Sequence, residues 1–184
     1  QQWLHAHVVP LRKEDKIDYS SFTNWRPISL TSILARVCEK VIIKRLSVET
    51  ESLGVLPDTQ FGARRARGTS DALAYVHMSL LKVVQEHGEC NSIFLDISKA
   101  FDRVDHLLLI RKMQKMGFSR VLVWWVFTFL TGRKQRIAIG SDKSEWGDVH
   151  SGVPQGTCLG PLLFLLFISD CPLATKASNH VRGL

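Results

Sequence analysis

The chain has 184 residues, 45% hydrophobic and 22% charged, with 24 Lys and Arg against 17 Asp and Glu and a formal net charge of +7. This composition excludes a disordered or low-complexity chain, suits one globular unit with its own core, and through its basic balance favours a polyanionic partner. Cys38, Cys90, Cys158 and Cys171 have neither Cys-x-x-Cys nor zinc-site spacing, which reads as reduced thiols of the cytosol or nucleus, and the apolar runs Val121–Leu130 and Leu162–Ile168 fall short of the roughly 18–20 residues that cross a bilayer.

Through Asn24 the chain is mixed and polar, with no secretory pattern, and Leu11-Arg12-Lys13-Glu14-Asp15-Lys16 reads as a charged loop. Gln1 is not an initiator Met, which suggests a piece of a longer chain or a processed one. After the turn-like Trp25-Arg26-Pro27, Ser29 or Thr31 can cap a helix whose stripe is Ile33, Leu34, Val37, Val41, Ile42 and Leu46, closed by Gly54. A loop from Pro57 to Gly68 carries Arg64, Arg65 and Arg67. Thr69 or Ser70 caps a second helix, with Leu73, Val76, Leu80, Leu81 and Val84 on one face and Gly88 as its stop. Ile93–Ile97 reads as a short central strand, apolar on both faces. A helix from Asp105 to Met116 ends at Gly117, and another from Ser119 to Thr131 is apolar nearly all round, which predicts burial. Lys134–Gly140 and Trp146–Ser151 read as a hairpin around Ser141-Asp142-Lys143, and Cys158–Asp170 as an apolar helix with Pro161 in its first turn. The order predicts an α+β fold with a small antiparallel sheet packed on helices.

The apolar run Ile93-Phe94-Leu95 leads straight into Asp96. A buried, unpaired carboxylate is costly, so either a cation meets Asp96 or the strand ends there in water. An Asp at a strand end with a free backbone carbonyl beside it is a hard oxygen site that suits Mg²⁺, given a second carboxylate or substrate phosphates. Asp102 and Asp105 stand at a helix start, where capping is the simpler reading, and Phe101 suits either a pocket wall or the core. The arginines of the Pro57–Gly68 loop suit phosphate oxygens or solvent alike, and Lys112, Lys115, Arg133, Lys134 and Arg136 spread further positive charge along the chain. None of the seven histidines has metal-binding spacing, and no Gly-x-Ser-x-Gly frames a nucleophilic serine.

Four stretches then occur in an ordered set: Trp25-Arg26-Pro27-Ile28-Ser29-Leu30, Gln60-Phe61-Gly62-Ala63-Arg64, Phe94-Leu95-Asp96-Ile97-Ser98-Lys99-Ala100-Phe101-Asp102, and Ser151 through Leu163 with its Val153-Pro154-Gln155-Gly156-Thr157 core. Together, from about Val8 to Pro172, they resemble the reverse transcriptase domain of non-LTR, LINE-type retrotransposons. The resemblance implies a right-hand polymerase with a fingers-like region over 1–90 and a partial palm over 91–172; the polar tail over 173–184 is expected to fray, and the family's thumb is expected to be absent from this stretch. Its implied activity is RNA-directed DNA polymerisation, with an RNA template, a DNA primer and deoxynucleoside triphosphates as partners, Mg²⁺ (or Mn²⁺) as cofactor and no membrane. The implied setting is a ribonucleoprotein of the cytoplasm or nucleus.

By the same resemblance, Asp96 is the palm aspartate that binds metal, assisted by the Ile97 backbone carbonyl. Phe101 is the aromatic gate against a 2′-hydroxyl, Gln155 and Gly156 lie against nucleotide and template, and Arg64, Arg67 and Lys13 contact the triphosphate. The chain departs from the family at Ala63 and Arg65-Ala66, where Phe and Pro-Gly are usual, and it contains no Tyr- or Phe-Ala-Asp-Asp sequence. Residues 1–184 alone are therefore expected to be catalytically silent, and a non-catalytic nucleic-acid-binding remnant of a retroelement is the competing reading.

Overall fold

The computed structural model describes residues 2–171; Pro172 and the tail expected to fray lie outside the described residues. The chain opens with β1 (His5–Arg12) and returns as β2 (Trp25–Leu30), antiparallel to it. Two expectations are corrected here. Leu11 and Arg12 belong to a strand rather than a loop, and Trp25-Arg26-Pro27 begins a strand rather than a turn. Both strands carry a proline: Pro10 and Pro27 sit directly opposite each other, and beyond Val8 β1 has no second neighbour. At such an edge a missing amide costs no ladder bond.

Two long helices follow, α1 (Ile33–Ser52) and α2 (Thr69–His87). The cap of α1 is Ser32, not Ser29 or Thr31: its hydroxyl accepts from the Ala35 amide at 3.2 Å. The α2 cap is Gly68 rather than Thr69 or Ser70, with its amide donating to Asp71 Oδ2 at 2.7 Å. Gly88 ends α2 in the left-handed conformation, as expected. The stripe expected to be buried on α1 is mostly exposed. Its buried face instead runs through Ala35, Glu39, Leu46 and Thr50, because the 158–159 backbone reaches Glu39. No residue of α2 is buried.

Ile93–Ile97, expected to be a central strand, forms no strand, and Ile93, Phe94 and Leu95 are 86%, 80% and 82% exposed. A strand apolar on both faces needs ladder partners to bury it, and the described residues offer none beside it. A tight turn over Ala100–Arg103 leads into α3 (His106–Lys115), capped by Asp105, whose side chain accepts from the Leu108 amide at 2.7 Å. Then come α4 (Arg120–Leu130), β3 (Lys134–Ile139), the two-residue strands β4 (Asp142–Lys143) and β5 (Gly147–Asp148), and α5 (Gly160–Ile168). Helix α4 is not buried all round: Leu122, Val123, Val126 and Leu130 face the core while Val121 and Trp124 are exposed.

The sheet is mixed rather than antiparallel. Its order is β2-β1-β3-β4, with β5 also on β3, and β1 pairs with β3 in parallel over His5–Val8. That pairing joins strands from both sides of residue 90. The apolar core is helical: Leu109 and Met113 of α3, Val126 and Leu130 of α4 and Leu162 to Leu166 of α5 pack around Val104 and Leu46. The expectation of a sheet packed on helices is corrected too. No strand residue belongs to this cluster, and the sheet meets the helices through residues 152–156, where the Ser29 amide donates to the Gln155 carbonyl at 2.8 Å.

Candidate active site

Below the sheet edge, Asp96 through Asp102 line one side of a cavity of about 590 Å³, with Lys13, Trp25, Pro27 and Gln155 completing the wall. The local chain explains each placement. Lys99 takes the left-handed conformation (φ 52°), which leads the irregular 91–97 segment into the Ala100–Arg103 turn, closed by the Asp102 amide on the Lys99 carbonyl at 3.0 Å. Lys13 is held by a loop that its own groups fold. Its Nζ donates to the Thr23 carbonyl at 2.7 Å, its amide to the Asn24 carbonyl at 3.1 Å, and its carbonyl accepts from the Tyr19 hydroxyl at 2.7 Å. Trp25 locks the same loop by donating from Nε1 to the Tyr19 carbonyl at 3.0 Å.

The 152–156 loop ties both walls together. The Gly152 amide donates to the Val104 carbonyl and the Val153 amide to the Phe101 carbonyl, each at 2.8 Å. His106 Nε2 donates to the Gly152 carbonyl at 2.8 Å; since a carbonyl only accepts, that nitrogen carries the proton. On the other side Gly156, at φ +97°, passes so close to Ile28 that a Cβ would meet its Cγ2 at 3.0 Å. Phe101 serves both readings offered by the sequence: it lines the cavity and stacks on Phe164 with ring centroids 5.3 Å apart.

Thus Lys13, Asp96, Ile97, Phe101 and Gln155 share one cavity, with Gly156 beside them. Arg64 and Arg67 do not join them. Arg64 makes a two-pronged pair with Glu51 (3.0 and 2.6 Å) and donates to the Pro57 carbonyl at 2.9 Å, holding its loop to the end of α1. That pairing raises the Arg64 pKa and lowers that of Glu51. Arg67 is bound to Asp58 by its side chain and backbone, and lies over the Phe61 ring at 5.7 Å. The donors expected at a triphosphate are committed to internal partners.

Sequence reasoning missed the contributions of Trp25 and Pro27, which were hidden by the turn reading of that tripeptide. It also favoured a helix-start role for Asp102 and Asp105 together, whereas Asp102 lines the cavity and Asp105 alone caps α3. Among the described residues no three His, Cys, Asp or Glu side chains converge as a metal site. Asp96 and Asp102 do line the same cavity, and a carboxylate or two with water and substrate phosphates is the donor set Mg²⁺ accepts.

Residues 11–181 match the family described as Reverse transcriptase (RNA-dependent DNA polymerase). The chain belongs to the reverse transcriptase family. It is 33% identical over its whole length to the "Probable RNA-directed DNA polymerase from transposon BS" of Drosophila melanogaster, covering 20% of that protein. It is 33% identical over 96% of its length to the RNA-directed DNA polymerase from mobile element jockey of the same fly, covering 19% of it, and 28% identical over 98% to a Pol polyprotein from the type-1 retrotransposable element R2 of Popillia japonica, covering 25%. The chain thus spans about a fifth to a quarter of the length of these curated relatives. Reverse transcriptases use divalent metal ions, and among the described residues no helix is long and apolar enough to cross a membrane.

Proposed function

We propose that this reverse transcriptase domain contributes the nucleotide-binding cleft of a right-hand, RNA-directed DNA polymerase, with residues 1–90 as fingers and 91–172 as the start of the palm. Its partners are an RNA template, a DNA primer and deoxynucleoside triphosphates, in a ribonucleoprotein of the cytoplasm or nucleus. The observation that carries the reading is the convergence of Lys13, Asp96, Phe101 and Gln155, from three separate stretches of sequence, on one cavity.

In this cleft the Asp96 carboxylate and the Ile97 carbonyl would hold Mg²⁺ or Mn²⁺, with Asp102 lining the same space. When bound, the ions neutralise charge on the attacking and leaving oxygens of phosphoryl transfer. The chain's own work is positioning. Lys13 spends one of three ammonium donors on Thr23 and keeps two for a triphosphate. Phe101, held by Phe164, is a fixed apolar surface against the sugar, where a 2′-hydroxyl would lose its hydration without gaining a partner. Gln155, pinned through its carbonyl to Ser29, is a steady platform for nucleotide or template. Arg64 and Arg67 take part only by exchanging Glu51 and Asp58 for phosphate.

The test is primer extension on an RNA template with Mg²⁺ by a polypeptide bearing this domain. Extension that Asp96→Asn abolishes while duplex binding persists supports the reading. Extension that survives Asp96→Asn contradicts it.

A further inference from the structure

Arg133 stands between α4 and β3 and is 5% exposed. Among the described residues its guanidinium forms no ion pair and donates no hydrogen bond; the carboxylate that acts on it electrostatically is Glu39. Burial pulls its pKa down to about 10, so it remains a cation at neutral pH. A desolvated cation without a partner is costly, and its persistence calls for an anion. Arg133 lines a second cavity, of about 370 Å³. Gln135, His150 and Ser151 add polar side chains to the lining. Of the two carboxylates there, Asp148 is engaged by Lys134 at 3.3 Å, and neither it nor Asp102 pairs with Arg133. This cavity and the candidate cleft are neighbours, with Pro27, Asp102 and Gln155 in the walls of both.

We propose that the Arg133 cavity seats one phosphate group, that of a nucleic-acid strand passing over Gln155 out of the cleft. The strand assignment rests on the polymerase reading above; the phosphate seat itself does not. A guanidinium presents planar paired donors matched to phosphate oxygens, and a low-dielectric wall strengthens the contact. Free phosphate offers the same chemistry as a strand phosphodiester, so the test carries an arm for each.

Binding of a labelled single-stranded RNA and of an RNA–DNA duplex by the whole chain is measured by fluorescence anisotropy across a KCl series. The variants are Arg133→Gln, Arg133→Lys, and Arg111→Gln as an exposed guanidinium that lines neither cavity. Melting with and without inorganic phosphate is followed in parallel. Arg133→Gln is expected to weaken strand binding roughly tenfold and to flatten the log–log salt dependence by about 0.7 for the single strand or 0.9 for the duplex. Arg133→Lys should keep the slope, and Arg111→Gln should leave binding near the parent's. Phosphate should raise the melting temperature of the parent but not of Arg133→Gln. If phosphate discriminates the two and strand binding does not, the strand assignment is overturned and a free-anion seat remains. A parent that binds no strand while phosphate still acts through Arg133 sinks the polymerase reading and spares the seat. If neither arm responds, the proposal is overturned outright. It is overturned equally if Arg133→Gln merely destabilises the chain and Glu39→Gln restores it, because Arg133 then serves only to balance Glu39.

Discussion

Replacing Gly152 by Ala tests whether the 152–156 loop is what holds the two walls of the cleft. Gly152 sits at φ +85°, and a Cβ there would lie 2.9 Å from the Asp102 Cα, 3.0 Å from the Phe101 carbonyl oxygen and 3.1 Å from that of Asp102. All three are backbone atoms, so no flexible side-chain end can swing away. The left-handed conformation alone costs an alanine about 1–2 kcal/mol, and forcing a methyl into a packed site costs about 1–3 kcal/mol more. The expected loss is therefore about 2–5 kcal/mol. At roughly 2–4 °C per kcal/mol for a chain of this size, the melting temperature should fall by about 4–20 °C. Gly140→Ala is the internal control: its φ is +59° but nothing lies within 4 Å of the added methyl, so only the conformational part applies. Urea unfolding followed by circular dichroism, with an unchanged m-value, reads both. If Gly152→Ala costs no more than Gly140→Ala, the loop is not clamped against residues 101–102 and the account of the cleft walls fails.

Two further predictions concern the frame of the site. Asp105→Ala removes the acceptor of the Leu108 amide and should cost about 1 kcal/mol, while Asp105→Asn should keep most of it, both read by urea denaturation; equal loss in the two would deny the capping role. Burial foremost raises the Glu39 pKa, even though the Cys158 amide donates to its carboxylate at 3.0 Å. A raised folded pKa means this contribution to stability is complete below the ordinary carboxylate range and is lost as pH rises through the folded value. Glu39→Gln should therefore gain on the parent progressively as pH goes from 4 upward, and a stability difference that stays flat with pH would contradict this.

Local signals in the sequence transferred well to the structure where the partner was also local. Asp105, Gly88 and the Lys134–Ile139 strand needed only capping, left-handed geometry and alternation, and each stands where those rules put it. What failed depended on distant partners. Trp25-Arg26-Pro27 read as a turn because nothing local says that Pro27 sits on a strand with one neighbour, opposite Pro10. The apolar stripe of α1 was visible, but its buried face is chosen by Glu39 and the 158–159 backbone more than a hundred residues away. Ile93–Leu95 carries strand propensity without a ladder to join among the described residues. The cleft residues Lys13, Asp96, Phe101 and Gln155 were legible through family resemblance, whereas Arg133, one more basic residue in the sequence, became distinct only once its burial and lack of partners could be seen.

The central claim is that Asp96 gives this cleft its metal-dependent hold on a nucleoside triphosphate. Isothermal titration of a deoxynucleoside triphosphate into the chain, with and without Mg²⁺, for the parent and for Asp96→Asn, measures that hold directly. The account predicts that Mg²⁺ strengthens binding to the parent and that Asp96→Asn removes that gain, a loss of about tenfold or more for one charge-assisted contact, while leaving metal-free binding in place. The same Mg²⁺ dependence in both proteins would contradict it.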